Sequence, residues 1–147
     1  MRTGDWLFLA AGAAAIAGSV WLLARRDSDI PVQAQSQKDV VFYSVTPGEA
    51  KRRMQSGEKI VILDVRTPEE NAEKRIPGSI LLPLGRPEAF GPAAEKIIPG
   101  KRAVVFVYCR SGRRSLTAAE ILADSGYRNV YHLGGIMDWP YETEAGR

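Results

Sequence analysis

The run Ala103-Val-Val-Phe-Val-Tyr108 is apolar at every position and ends on Cys109. A stretch without alternation, rich in Val and bounded by polar residues, fits a strand covered on both faces, the environment of a parallel sheet. Behind it come Arg110-Ser-Gly-Arg-Arg-Ser115 and a helical pattern from Ser115 to Ser125, with Ala118, Ile121 and Leu122 as its apolar stripe and Gly126 as its stop. The chain must therefore build a strand, a tight loop and a helix in succession, with a cysteine where the strand ends. That order restricts the fold to an α/β class in which parallel strands connect through helices.

At such a strand end successive backbone N–H groups converge, and the first turn of the helix adds partial positive charge, so the loop forms a nest for an anion. A thiol held over the nest is expected to ionise below its ordinary pKa, and Arg110, Arg113 and Arg114 are expected to push in the same direction. Gly112 supplies the residue that can take a positive φ in mid-loop. The candidate nucleophile is thus Cys109, and the candidate substrate-binding set is Arg110, Ser111, Gly112, Arg113, Arg114 and Ser115. A buried inert cysteine would need neither three arginines nor a glycine within five residues. As the one cysteine of the chain, Cys109 has no internal disulfide partner and no resolving thiol.

The rest of the folded part reads as strands alternating with helices. Val40 to Val45 is the first predicted strand, and Thr46-Pro-Gly-Glu49 opens a helix with a capping box and a proline at its first position, running to Ser56 and stopping at Gly57. Ile60 to Leu63 is a second buried strand that brings Asp64 and Arg66 to the edge where Cys109 lies. Asp64 is expected to support neighbouring loop N–H groups or to pair with Arg66 rather than to transfer protons. Ile80 to Leu82 forms a short third strand, Glu88 to Ile98 two short helices broken at Gly91-Pro92, and Val130 to Leu133 the last strand, followed by a Gly134-Gly135 turn and a helical turn through Trp139. Residues 142–147 form a polar tail, expected to fray.

Three stretches carry a resemblance. Cys109-x-x-Gly112-x-Arg114 after an apolar strand resembles the active-site loop of rhodanese-type sulfurtransferases. Asp64-Val-Arg-Thr-Pro-Glu-Glu70, continued by Ile76-Pro-Gly-Ser79, resembles that family's first motif, and Tyr131-His-Leu-Gly-Gly-Ile-Met-Asp-Trp139, preceded by Gly126-Tyr127, resembles its last. The motifs stand in family order across residues 40–141, which would form a rhodanese domain. The resemblance implies a five-stranded, mostly parallel sheet with helices on both faces and one active site at the carboxyl ends of the strands. It implies sulfur transfer through a Cys109 persulfide, from an anionic donor such as thiosulfate to a thiol acceptor such as glutathione or thioredoxin. Arg114 matches the motif position whose guanidinium would fold back on the loop. Two departures, Asn71 where an aromatic residue is usual and Lys74-Arg75 where Gly-His is usual, lie outside the loop and bear on partner contacts.

Other chemistries fit less well. A Cys-x5-Arg phosphatase or arsenate reductase needs arginine at position 115, where Ser115 stands, and a silent rhodanese-like binding module usually lacks the cysteine. His132, the one histidine, reads as structural, because persulfide chemistry on a preformed thiolate needs no base. No spacing of metal ligands and no nucleotide loop is present, so no metal and no cofactor are expected. A net charge of +3 is too small to indicate nucleic acid.

Upstream, Trp6 to Ala24 carry no charge. As a helix at 1.5 Å per residue this segment reaches about 28 Å, close to the hydrocarbon thickness of a bilayer. Residues 1–26 are therefore read as one transmembrane anchor, with Trp6 and Trp21 at its interfaces and Arg25-Arg26 closing it, and residues 27–39 as a polar linker. The positive-inside bias of Arg25, Arg26 and Lys38 places the domain in the cytoplasm at the cell membrane. A signal peptide cleaved near Val32-Gln-Ala34, which would export the domain, is the competing reading.

Overall fold

The structure is a computed structural model that describes residues 41–146. The expected anchor and linker lie outside the described residues, among which no helix is long and apolar enough to cross a membrane.

Five parallel strands form one sheet in the order β1-β5-β4-β2-β3, where β1 is Tyr43–Ser44, β2 Ile60–Asp64, β3 Ile80–Leu81, β4 Val104–Cys109 and β5 Asn129–Gly135. The apolar run is the central strand, as its unbroken hydrophobicity requires. Along β4 the pleat sends Val105, Val107 and Cys109 to one face and Phe106 and Tyr108 to the other. The first face packs on helices α3 (Pro87–Glu95) and α4 (Arg113–Asp124) through Phe90, Ala94, Ala118, Ala119 and Leu122. The second is covered by α1 (Pro47–Gln55) through Ala50, and by Ile76, Ile136 and Trp139. Helix α2 (Pro68–Glu73) follows β2, and a short 3-10 turn, Ile136–Asp138, follows β5.

Several elements differ from the sequence reading. The first strand shortens to two residues because β1 is an edge that pairs only with β5, Tyr43 beside Tyr131 and Ser44 beside His132. The capping box at Thr46 is half made: Thr46 Oγ1 accepts from the Glu49 N–H at 3.2 Å. Its complete counterpart sits at Thr67, where Thr67 Oγ1 accepts from Glu70 N at 3.3 Å and Glu70 Oε2 from Thr67 N at 3.0 Å, opening the unanticipated helix α2. Gly91-Pro92 does not break α3. Pro92 lies on the exposed side, where water can satisfy the carbonyl that its missing N–H leaves free, and Gly91 faces α4. A Cβ at Gly91 would meet Ser125 Oγ at 3.1 Å, so this glycine serves helix contact rather than interruption.

Residues 142–146 of the tail are tied down rather than frayed. Arg75 and Glu144 exchange backbone hydrogen bonds of 2.8 and 3.0 Å in an antiparallel bridge, and the Gly146 N–H donates to Ala72 O at 3.0 Å. Trp139 Nε1 donates to Glu142 O at 3.2 Å, while Lys51 pairs with the Glu142 carboxylate. Residues 142–146 thereby form a strap over the end of α2. Backbone pairing of this kind leaves no trace in side-chain composition.

Candidate active site

Cys109 is the last residue of β4, buried with its thiol turned toward α4. Gly112 adopts φ +102° as the N-cap of that helix, a conformation that costs other residues strain, and this turns its N–H onto Cys109 Sγ at 3.0 Å. Ser115 Oγ lies 3.4 Å from the sulfur. Burial pushes the thiol pKa up, but the Ser115 hydroxyl together with the N–H groups of Ser115, Gly112 and Ser111 outweighs it and holds the thiol below its ordinary value. The lowering expected from Arg110, Arg113 and Arg114 is thus mainly the work of loop dipoles, because the guanidinium groups are directed elsewhere.

Arg110 and Arg113 are exposed. Arg114 does not fold back on the loop as expected. It crosses to α2 and forks onto Glu70, with Nη1 2.7 Å from Oε2 and Nη2 2.8 Å from Oε1. Those bonds hold Glu70 at about 2, against an ordinary 4.5. A carboxylate depressed in this way stabilises the fold above its ordinary pKa and loses that contribution as pH falls toward 2. Because the pair is partly exposed, Glu70→Gln is expected to cost about 1 kcal/mol at pH 7. In urea denaturation at successive pH values, the gap between variant and wild type should narrow from pH 4.5 downward.

Beneath the loop, on the opposite face of the sheet, Asp64 is fully buried and accepts five hydrogen bonds. Oδ1 takes Arg66 N at 3.0 Å and Arg66 Nε at 2.9 Å, and Oδ2 takes Arg66 Nη2 at 2.7 Å, Asn71 Nδ2 at 2.9 Å and Tyr108 OH at 3.0 Å. Burial pulls the Arg66 guanidinium down, but the Asp64 carboxylate more than compensates and keeps it above its ordinary value. Asn71, expected to bear on partner contacts, is a buried member of this network, and the Lys74 carbonyl accepts from Arg66 Nη2. Tyr108 was not anticipated at all. Its hydroxyl also receives the Ile76 N–H at 3.1 Å and touches Ser79 Oγ at 3.0 Å, and burial pushes its pKa to about 12. A hydroxyl-bearing tyrosine in an otherwise apolar strand, next to the nucleophile, is the available signal.

Gly134 and Gly135 do not form a turn after β5; they are its end. A register shift after Val107 sets Tyr108 beside Gly134 and Cys109 beside Gly135. The cysteine loop lies directly on Gly135, where a Cβ would come 2.3 Å from Arg110 O and 2.7 Å from Ser111 Cα. In front of the loop, Arg66, Glu70, Glu73, Lys74, Arg110, Ile136 and Met137 line a polar cavity of about 260 Å³. Among the described residues no three His, Cys, Asp or Glu side chains gather as a metal site.

A cysteine thiol held below its ordinary pKa at a parallel strand's carboxyl end, over a six-residue loop that caps a helix, defines a class of α/β proteins built for a cysteine nucleophile and an anion. Within that class the chain belongs to the family of rhodanese-like domains, whose pattern matches residues 46–141. It is similar to a sulfurtransferase of Allochromatium vinosum, with 39% identity over 60% of this chain and 78% of that protein. It is also similar to the thiosulfate sulfurtransferase PspE of Escherichia coli, with 38% identity over 52% of this chain and 70% of that protein. Among solved structures, a rhodanese with anions from E. coli superposes with a TM-score of 0.54 and 33% identity, covering 59% of this chain and 99% of that one. A rhodanese-like domain protein from Staphylococcus aureus superposes with a TM-score of 0.62 at 28% identity, covering 71% and 99%.

Proposed function

We infer that the chain is a sulfurtransferase that carries sulfane sulfur on Cys109 from an anionic donor such as thiosulfate to a thiol acceptor. The observation that carries this reading is the 3.0 Å bond from the Gly112 N–H to Cys109 Sγ, made by a loop that has arginine at 114 and serine at 115 rather than the Cys-x5-Arg spacing. The Cys109 thiolate attacks the outer sulfur of thiosulfate, forming a sulfur–sulfur bond as the bond to the sulfonate sulfur breaks, and sulfite leaves with the electron pair. The terminal sulfur of the persulfide then holds the negative charge over the same N–H groups. An acceptor thiolate attacks that sulfur and releases the Cys109 thiolate; glutathione or a thioredoxin-type dithiol has the required chemistry. Thiocyanate formation from thiosulfate and cyanide tests the reading: the full chain should turn over and Cys109→Ser should not, whereas turnover by the serine variant would rule it out.

Arg110 lines the cavity and is exposed, with its carbonyl taking the Met137 N–H at 3.2 Å. It would attract the donor without touching the reacting sulfur. Arg110→Ala is therefore expected to raise the donor KM roughly three- to tenfold at low ionic strength, with kcat unchanged and the effect fading as salt is added. A fall in kcat at constant KM would place Arg110 in the chemical step instead.

The proposal extends to the N-terminal segment. Its uncharged run from Trp6 to Ala24 and the cations that follow favour a retained anchor at the cell membrane, with the domain on the cytoplasmic side. A reporter active only outside the cytoplasm, fused after Arg147, should stay silent. Activity there would mean export.

A further inference from the structure

The Ser115 hydroxyl is fully buried and has one proton to give, yet four polar atoms surround it: Gly112 O at 3.0 Å, Gly134 O at 3.1 Å, His132 Nε2 at 2.9 Å and Cys109 Sγ at 3.4 Å. Two of these are carbonyls, which only accept, and the thiolate also accepts. The single proton of Ser115 is therefore contested among three acceptors, and a second donor is needed. His132 Nε2 is the remaining atom, and it lies 3.0 Å from Gly112 O as well. Without a proton it would face that carbonyl lone pair to lone pair. With one it satisfies Gly112 O or the Ser115 oxygen, so the ring carries its hydrogen on Nε2 in this arrangement.

We propose that His132 is a positioning residue for Cys109: its Nε2–H, shared between the Gly112 carbonyl and the Ser115 oxygen, weakens one of the two carbonyls that compete for the Ser115 proton and so favours the orientation in which that proton points to the sulfur. His132 makes no hydrogen bond to the sulfur itself; it acts through Ser115. The Leu116 N–H already occupies one lone pair of the Gly112 carbonyl at 3.1 Å; without His132 the second lone pair competes fully for the Ser115 proton, and the bond from Ser115 to the sulfur weakens. The charged groups packed around the loop cannot replace it. Asp64 on β2 is committed to Arg66, Glu70 on α2 to Arg114 on α4, and Arg110 and Arg113 are turned to solvent. Both Ser44 on β1 and Val107 on β4 flank His132 in the sheet, and neither is charged.

The proposal rests on Cys109 being the working thiolate of a sulfurtransferase, but its test reads the thiolate directly. Since Cys109 is the one cysteine, alkylation of the full chain by iodoacetamide across pH reports its ionisation alone. His132→Phe should move the half-point upward by about 0.5 to 1 pH unit and slow alkylation three- to tenfold below it, with the high-pH plateau unchanged. His132→Gln, whose amide nitrogen can reach the place of Nε2, should restore the wild-type curve. Ser115→Ala should shift the half-point at least as far as His132→Phe, and adding His132→Phe to it should produce nothing more. An unmoved half-point in His132→Phe, additive shifts in the double variant, or a glutamine variant no better than phenylalanine would each overturn the proposal. If the phenylalanine variant does not fold, His132→Asn, too short to reach Ser115, gives the same reading. Loss of thiocyanate formation with this alkylation pattern intact would count against the sulfurtransferase reading and not against the linkage from His132 to Cys109.

Discussion

A Gly135→Ala protein is expected to lose about a hundredfold or more of its sulfur-transfer rate while also becoming less stable. The added Cβ would sit 2.3 Å from Arg110 O and 2.7 Å from Ser111 Cα, and both are backbone atoms that can move only if the whole loop moves. Overpacking in a rigid setting costs about 1–3 kcal/mol. The larger effect is on chemistry: the N–H groups of Ser111 and Gly112 belong to the displaced segment, and losing one preorganised donor to a developing charge typically costs about 10²- to 10³-fold. Gly134→Ala is the control. Gly134 has φ +93° but nothing within 4 Å of its would-be Cβ, so alanine there should cost about 1 kcal/mol of backbone strain and far less activity. Thiocyanate assays beside urea denaturation separate the two, and equal activity losses would show that the contact with Arg110 does not hold the loop.

Asp64→Ala is expected to give the largest loss of stability, about 3–5 kcal/mol, because it strands the Arg66 guanidinium, 4% exposed, without its counter-charge. Asn71, Tyr108 and the Arg66 N–H would lose their acceptor at the same time. Tyr108→Phe removes one member and leaves the ion pair intact, so a cost nearer 1 kcal/mol follows. Urea midpoints at pH 7 measure both. Because the network supports β2 and α2 from the side of the sheet away from the thiol, protein that remains folded should alkylate at Cys109 with nearly wild-type pH dependence. A midpoint within 1 kcal/mol of wild type for Asp64→Ala would mean that water reaches Arg66.

What was legible in the sequence was whatever depends on neighbours along the chain. The unbroken apolar run of β4, the glycine that frees the loop and the stripe of α4 are local patterns, and together they place Cys109 correctly at the strand end. The pairing of Asp64 with Arg66 is also nearly local, two residues apart. The misses are contacts between distant segments. Arg114 and Glu70 are 44 positions apart, so nothing near Arg114 shows that its guanidinium has a carboxylate to reach. Gly134-Gly135 has the composition of a turn, and only the bulged pairing with β4 reveals that Gly135 yields space to another backbone. Helix α2 had the same Thr-Pro-x-Glu signature as α1 and could have been read by the same rule. The strap over α2 joins main-chain bonds to side-chain pairs between positions far apart in sequence, Arg75 with Glu144 and Lys51 with Glu142, and nothing near either partner shows the match.

The central claim is that Cys109 carries sulfur, and the mass of the intact protein tests it most directly. Excess thiosulfate without reductant should add the mass of one sulfur atom, and cyanide should remove it with release of thiocyanate. Cys109→Ser should show neither change. With no second thiol in the chain to attack the persulfide, the adduct should persist until an acceptor is supplied. A wild-type protein whose mass is unchanged by thiosulfate and by other persulfide donors, while it hydrolyses an aryl phosphate, would contradict the account.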